Sequence, residues 1–244
     1  MFRFLTTSLF AVLALTNPSQ AESSKPIKVL WCTGGGFHDY KGLQSVLTTA
    51  IQKYSPLPIA FTASTDPKDW AKKGFADKYD LLVLFFSVHD PAGKPVVLNL
   101  AKTIYDGKPA VVIHGTLHSY RELGRDRDDF CEAMGLTSVK HDNAKEIATK
   151  KVSDHWIVAD WPDDWKTPRD ELYENVKLWP NATPLLTAYS DTSKKVQVVA
   201  WINHYGKGRV FGTTLGHGSP TTEMESYHKL LANGLLWAYG REKK

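Results

Sequence analysis

Cysteine is scarce in this chain, and basic residues form no tract. Two cysteines, Cys32 and Cys131, are too few for a disulfide framework, so the core must stabilise the fold. Cys32 lies in an apolar segment, where a buried free thiol is expected and a disulfide to Cys131 is the alternative. Lys and Arg are scattered, without a basic cluster or a basic-aromatic stripe, which argues against nucleic acid as a partner.

Two familiar catalytic signatures are also missing. The glycine run Gly34–Gly36 fits neither the dinucleotide fingerprint nor the phosphate-binding pattern that ends in Lys-Ser/Thr. The turn after Ile113 reads His114-Gly115-Thr116, where many hydrolases and amidotransferases of this general type place a serine or cysteine between glycines. Dinucleotide binding and covalent catalysis are therefore both disfavoured.

The beginning of the chain has the features of a secretory signal peptide. Arg3 precedes an apolar run from Leu9 to Leu15, and Ser19-Gln20-Ala21 offers a small-residue cleavage site. We expect residues 1–21 to be removed and the protein to be secreted or periplasmic; an uncleaved N-terminal anchor is the alternative. No later apolar run reaches the roughly 20 residues that a membrane span needs. The remaining residues 22–244 are expected to form one domain.

The first half of that domain alternates strand patterns with helix patterns. Short apolar segments rich in β-branched or aromatic residues predict four strands: Ile27–Cys32, Pro58–Ala63, Leu81–Phe86 and Ala110–Ile113. A 3.6-residue rhythm predicts helices over 43–54 and 96–105. Such alternation predicts an α/β fold with a doubly wound, mostly parallel, flavodoxin-like sheet.

The second half begins with a different pattern. Residues 137–160 show shorter alternating stretches, and prolines interrupt residues 156–179, which predicts an inserted region of strands and loops over the sheet. A hairpin is predicted from 196–202 and 209–214 around the turn at 205–208. An amphipathic helix over about 223–239 closes the chain.

Histidines follow the predicted strand ends, where ligands bind in open α/β sheets. His38 follows the first strand, His114 and His118 the fourth, and His217 the hairpin, so we expect the four side chains to converge. His89 is a weaker candidate because His-Asp-Pro also forms ordinary turns. The other four histidines are interpreted as surface or packing residues: His141, His155, His204 and His228.

The inserted region supplies candidate carboxylates and rings. Asp170-Glu171-Leu172-Tyr173 follows a proline-broken loop and could descend over the site, giving a general acid or base and an aromatic ring; an exposed helix start is the alternative. Three tryptophans flank this segment and could stack on sugar rings or belong to the core: Trp161, Trp165 and Trp179.

In their order and spacing these motifs resemble the ThuA-like (trehalose utilisation) family over residues 27–239. The resembling segments are 33–39, 114–121, 170–173, 199–201, 206–211 and 215–217. The resemblance implies a sheet like that of class I glutamine amidotransferases without their cysteine nucleophile. It also implies a role in carbohydrate catabolism on oxidised (3-keto) disaccharides or related glycosides.

Residues and resemblance together give one main hypothesis, an exported enzyme that acts on a sugar derivative. Its expected catalytic residues are His38, Asp39, His114, His118, Glu171 and His217. The four histidines could instead hold a divalent metal such as zinc. The expected substrate contacts are Gly35, Gly36, Ser119, Tyr120, Arg121 and Tyr173. The alternative is a non-catalytic sugar-binding module that uses the same crevice.

Overall fold

The computed structural model describes residues 25–242 and shows an α/β fold built on one large mixed sheet. Its nine strands lie in the order β2-β1-β3-β4-β11-β10-β9-β6-β7, and β5 pairs with β8 in a separate two-stranded sheet. The strands are β1 Ile27–Gly35, β2 Ile59–Ser64, β3 Leu81–Ser87, β4 Ala110–Ile113, β5 Leu136–His141, β6 Lys145–Lys151, β7 Lys166–Asp170, β8 Tyr173–Leu178, β9 Ala182–Ser190, β10 Lys195–Tyr205 and β11 Gly208–Thr213.

Helices cover this sheet on both faces. They are α1 Tyr40–Tyr54, α2 Pro67–Trp70, α3 Lys94–Tyr105, α4 Asp128–Met134, α5 Ser219–Thr222 and α6 Glu225–Ala238. Short 3-10 helices span His114–His118, Arg121–Arg127 and Trp156–Val158. Helices α1 and α6 contact each other on one face, and α3 packs with α2 and α4 on the other.

Apolar runs in the central strands explain why both faces are covered. All seven residues of β3 and all four of β4 are buried. Alternate residues of β3 enter two different cores: Val83 packs in the core that includes α1 and α6, while Leu84 packs in the core that includes α3 and α4. The prediction of a mostly parallel, doubly wound sheet is thereby confirmed for β2, β1, β3, β4 and β11.

The inserted region contains more strand than the sequence pattern indicated. β9, β6 and β7 extend the sheet in antiparallel pairs beyond the β10–β11 hairpin, and the proline-interrupted residues 156–179 include β7 and β8. Pro168 lies inside β7 and obscured it. Proline is tolerated there because β7 is the last strand of the sheet, with no neighbour on its outer side within residues 25–242.

Two further expectations concern the cysteines and the membrane. Cys32 and Cys131 are both buried and free, so the disulfide alternative does not hold in this structure. Burial raises the pKa of both thiols.

Within residues 25–242, every helix is too short or too polar to span a bilayer. The expected signal peptide, residues 1–21, lies outside the described residues.

Candidate active site

A crevice opens at the carboxyl ends of the parallel strands, where the strand order reverses: β2 lies on one side of β1, and β3 and β4 lie on the other. Its volume is about 310 Å³. The side chains around it come from the loops after β1, β3, β4 and β11 and from the inserted region; they are Phe37, His38, Ser87, His89, His118, Arg121, His141, Glu171, Tyr173 and His217. His114 lies beneath them with a fully buried side chain.

The glycine run after β1 allows a close approach of two strands. A Cβ on Gly35 would lie only 1.9 Å from the carbonyl oxygen of Ser87, and the Gly36 N–H donates to that oxygen at 3.0 Å. Gly35 therefore serves the pairing of β1 with β3, which differs from the substrate contact assigned from the sequence. The next residue, Phe37, has φ = +77° and a ring that is 79% exposed beside the crevice.

His38 is fixed by the backbone of the loop that follows β11. Its Nδ1 lies 3.2 Å from the carbonyl oxygen of His217, so this nitrogen carries the hydrogen and Nε2 is free. The ring centroids of His114 and His217 are each 5.0 Å from that of His38. Burial, reinforced by these two imidazoles, lowers the pKa of His38 to about 4.

His114 occupies a strained turn directly after β4. Its φ of +42° is uncommon for a residue with a side chain. Nδ1 lies 2.6 Å from the carbonyl oxygen of Thr214 and donates to it, so Nε2 is the ring nitrogen left for another partner. That Nε2 atom is buried and has no hydrogen-bond partner within residues 25–242. The convergence of His38, His114 and His217 predicted from the strand order is thus present in the structure.

Asp170 joins the inserted region to the loop after β11. Its side chain is fully buried, and its two oxygens accept hydrogen bonds from three backbone N–H groups: Gly216 at 2.8 Å, His217 at 3.2 Å and Glu171 at 2.8 Å. One carboxylate therefore fixes the positions of both His217 and Glu171. The sequence placed Asp170 in a motif but gave no indication of this positioning role.

Glu171 lies among three imidazoles. Its Oε2 atom is 3.4 Å from Nε2 of His114, 3.4 Å from Nδ1 of His217 and 3.7 Å from Nε2 of His141. Burial alone would raise the pKa of Glu171, but its interactions with His114 and His217 outweigh burial and hold that pKa well below its usual range. The same carboxylate raises the pKa of His217.

His118 belongs to the wall of the crevice. Its ring stacks on Tyr173, with centroids 3.8 Å apart and planes 2° from parallel, and its Nε2 lies 2.9 Å from Ser138 Oγ. Burial, followed by the charges of His114 and Arg121, lowers its pKa to about 2. His118 is therefore neutral at physiological pH, held by packing on one side and by a hydroxyl on the other.

His141 is a crevice residue that the sequence interpretation placed at the surface or in packing. It ends β5, is 38% exposed, and directs Nε2 toward Glu171. Nδ1 lies 2.8 Å from the carbonyl oxygen of Asp142 and donates to it, which leaves Nε2 able to accept a proton. No strand-end signal marked His141, because β5 belongs to the small second sheet.

Several other expected site residues have local structural contacts. Asp39 caps α1 and accepts the N–H of Gly42 at 3.0 Å. Ser119 Oγ accepts the N–H of Val88, and Tyr120 is fully buried, so both support the loop. Arg121 remains exposed at the rim, where its Nη1 donates to the carbonyl oxygen of Val139.

The three tryptophans considered for sugar stacking lie elsewhere. Trp161 and Trp165 are buried in the core that includes α6. Trp179 donates its ring N–H to Thr137 Oγ1 at 3.0 Å. Within residues 25–242, none of the three lines the crevice. The exposed ring that does line it belongs to Phe37.

Sequence and structure comparisons agree with this architecture. A family model described as trehalose utilisation, ThuA, matches residues 28–238. The chain belongs to the ThuA family. Membership of this family indicates a role in trehalose utilisation, that is, in carbohydrate metabolism. No curated protein matches the sequence significantly.

Solved structures similar to this ThuA chain show the fold. A ThuA-like protein from Parabacteroides merdae has a TM-score of 0.69 at 20% identity, covering 88% of this chain and 91% of the other. One from Bacteroides uniformis has a TM-score of 0.68 at 15% identity, covering 88% and 92%. A glutamine amidotransferase from Thermotoga maritima has a TM-score of 0.56 at 14% identity, covering 89% and 100%. The predicted relation to the amidotransferase fold is confirmed.

The ThuA chain presents an imidazole where that general architecture often presents a nucleophile. In α/β hydrolases the nucleophile lies on a sharp, strained turn between a strand and a helix. Here the turn between β4 and a 3-10 helix carries His114 with its positive φ. The strained turn is therefore present, and the residue on it is suited to proton transfer or ligand binding instead of covalent attack.

Proposed function

We propose that this ThuA protein is an enzyme of carbohydrate catabolism that acts on an oxidised (keto) disaccharide or glycoside by proton transfer next to the carbonyl group. One observation carries the proposal. Glu171, His141 and His217 line a single crevice with His114 buried beneath them, and a nitrogen of each of the three imidazoles lies 3.4–3.7 Å from one Glu171 oxygen. Such concentration of proton carriers in a crevice is typical of an acid-base site.

A keto sugar suits these groups because its carbonyl acidifies the neighbouring C–H bond. In the proposed step, His141 Nε2 accepts the proton from that carbon while the electron pair moves onto the carbonyl oxygen, which accepts a hydrogen from the ring N–H of His217. Returning a proton to a different atom gives isomerisation, and expelling a substituent gives elimination. Both outcomes need only acid-base chemistry.

Covalent catalysis receives no support from Cys32, Cys131 or Ser119. Both cysteines are buried with raised pKa values, and Ser119 Oγ interacts with backbone groups of its own loop and of β3. A nucleophile needs a nearby base and access to substrate, and these three residues lack that arrangement. The reaction is therefore assigned to proton transfer.

The crevice also has the size and lining for a sugar. About 310 Å³ lies at the low end of small-molecule sites, which span roughly 300–1,000 Å³. Arg121 offers guanidinium N–H groups to hydroxyl oxygens at the rim, and Phe37 presents an exposed ring face. Polar donors next to an aromatic surface match the alternating polar and apolar faces of a pyranose.

Phe37 provides a first prediction. Alanine would bear the same backbone cost at this positive φ, so contact with a ligand is the simplest reason for a bulky exposed ring at this position. Phe37→Ala should raise KM by roughly 3- to 10-fold, the value of one aromatic contact, with kcat and the melting temperature little changed. Steady-state kinetics and a thermal melt test this; an unchanged KM would remove Phe37 from the substrate site.

Export remains part of the proposal. The pattern in residues 1–21 is that of a cleaved leader, and a keto-glycoside enzyme outside the cytoplasm would meet carbohydrate as it enters the cell. Expression of the whole chain in a bacterial host should yield a periplasmic or secreted product that begins near Glu22. Cell fractionation followed by N-terminal sequencing checks this. Full-length protein confined to the cytoplasm would contradict it.

The proposed activity is tested by a substrate screen. Purified protein is incubated with 3-keto-disaccharides and the corresponding unoxidised sugars, and products are followed by liquid chromatography and mass spectrometry. Turnover of a keto sugar, with no turnover of its unoxidised counterpart, is the expected result. Tight binding of sugars with no product from any of them would instead identify a non-catalytic binding module.

A further inference from the structure

We infer that His38, His114, His217 and Glu171 form a binding site for one divalent transition-metal ion with a preference for nitrogen ligands, such as zinc. This goes beyond the proposed sugar chemistry, and metal binding can be measured without any substrate. Four observations support it: the spacing of the donor atoms, the tautomers of the histidines, the buried donor atoms that lack hydrogen bonds, and the hydrogen bonds by which Asp170 holds two of the ligands.

The spacing of the donor atoms fits a coordination shell. One ring nitrogen from each histidine lies within 4.8 Å of the others. Glu171 Oε2 is 3.4 Å from both His114 Nε2 and His217 Nδ1. Ligand atoms about 2.0–2.1 Å from a tetrahedral zinc ion are about 3.4 Å apart, whereas charge-assisted N–H···O bonds are about 2.7–2.9 Å long. The two contacts match the edges of a coordination tetrahedron better than hydrogen bonds.

The histidine tautomers present free nitrogens to this point. His114 donates through Nδ1 to the carbonyl oxygen of Thr214, and His38 donates through Nδ1 to the carbonyl oxygen of His217. Metal-binding histidines characteristically donate their second ring N–H to a carbonyl or carboxylate, which fixes the tautomer and the ring orientation. In both residues Nδ1 is occupied by the backbone, and Nε2 is the nitrogen available to a metal ion.

Two of the donor atoms are buried without a hydrogen-bond partner in the described part of the chain, namely His114 Nε2 and His217 Nδ1. A buried polar atom that makes no hydrogen bond is unfavourable, and two such atoms beside one carboxylate oxygen call for a common explanation. A cation coordinated by both nitrogens and by Glu171 satisfies all three groups at once.

The buried carboxylate of Asp170 holds this site from behind. It accepts the backbone N–H groups of both Glu171 and His217, so two of the four proposed ligands share one rigid anchor. Outer contacts of this kind orient ligands in metal sites. The anchor also explains how a loop after β11 and a loop of the inserted region keep their ligands in register.

The structure shows which residues around the crevice can bind the ion and which ion they favour. His118, one of the four metal candidates from the sequence, is excluded because Ser138 Oγ occupies the partner position at its Nε2 and its ring lies flat on Tyr173. Glu171 takes its place. Three imidazoles and one carboxylate favour zinc and similar ions over Mg²⁺ or Ca²⁺, which prefer oxygen ligands alone. A bound ion of this type would polarise a carbonyl group in the crevice.

Titration of the metal-free protein with zinc chloride tests the inference. Protein without a histidine tag is dialysed against chelator and titrated in a calorimeter, with a chromophoric zinc chelator as competitor. The wild type should bind one equivalent, and Glu171→Gln and His217→Ala should each weaken binding at least about 100-fold, because loss of an outer contact alone costs roughly 10- to 100-fold. Magnesium chloride should give no saturable binding.

The matched control is His204→Ala. His204 is an exposed residue of β10 that lies opposite Arg209 in the β10–β11 register, near the start of β11. The crevice lies at the other end of β11. This variant should bind zinc as the wild type does.

Absence of zinc binding by the wild type, or equal affinity in wild type and Glu171→Gln, would overturn the site. Glu171→Gln preserves side-chain size, so the comparison does not depend on His217→Ala folding. A metal-binding protein inactive on every keto sugar would refute the proposed function alone.

Discussion

Glu171→Gln should reduce kcat/KM on a keto-disaccharide by about 10²- to 10⁴-fold, the usual contribution of a positioned acid-base group, and should change the melting temperature little. The carboxylate lies 3.4–3.7 Å from three imidazole nitrogens and is the negative charge they share. Glutamine has the same size but cannot balance charge in the cluster. Steady-state kinetics and a thermal melt, measured on the same preparation, provide the two quantities.

Glu174→Gln is the matched control for this prediction. Glu174 lies three residues further along the same segment, its side chain is 15% exposed against 14% for Glu171, and it pairs with Lys140 instead of the histidines. The same chemical change should leave kcat/KM within about twofold, since a surface ion pair contributes about 0–1 kcal/mol. Equal losses in both variants would show that any carboxylate of this segment matters, which would remove Glu171 from the chemistry.

Asp170→Asn should destabilise the protein by roughly 3 kcal/mol and also abolish most of the activity. The fully buried carboxylate accepts three backbone N–H groups, and hydrogen bonds to charged groups contribute about 1.5–3 kcal/mol each. An asparagine amide would direct its NH₂ group at one or more of those donors. For a chain of this size the melting temperature should fall by roughly 6–12 °C, and zinc affinity should fall as well.

The control for Asp170→Asn is Asp191→Asn. The Asp191 side chain is 72% exposed and forms an ion pair with Lys145, so its loss should cost at most about 1 kcal/mol. Calorimetric melts of the two variants measure the difference. An Asp170→Asn protein that melts like the wild type and keeps full activity would show that the loops of Glu171 and His217 are held in place without this carboxylate.

The part of the site that the sequence predicts follows from parallel strand geometry. His38, His114 and His217 each follow a strand of the parallel part of the sheet, and such strands end at one edge. The identity of the strands is encoded locally by unbroken apolar runs, which only a doubly covered sheet accommodates. The alternation of patterns along the chain was therefore enough to bring three distant histidines together.

His141 and Asp170 could not be placed in the same way. Both belong to the antiparallel extension and the small second sheet, whose spatial order depends on pairings between distant residues and leaves no local signature. Pro168 further obscured β7. Asp39 is a different case, because its position just before an amphipathic helix is a capping signal that the sequence does contain.

Hydrogen exchange at the substrate tests the central claim, that the crevice moves a proton next to a sugar carbonyl. A keto-disaccharide is incubated in D₂O with wild-type protein, with Glu171→Gln and without protein, and its mass is followed over time. The wild type should accelerate incorporation of deuterium at the carbon beside the carbonyl, and Glu171→Gln should fall close to the protein-free rate. Conversion or binding of the sugar with no accelerated incorporation would contradict it.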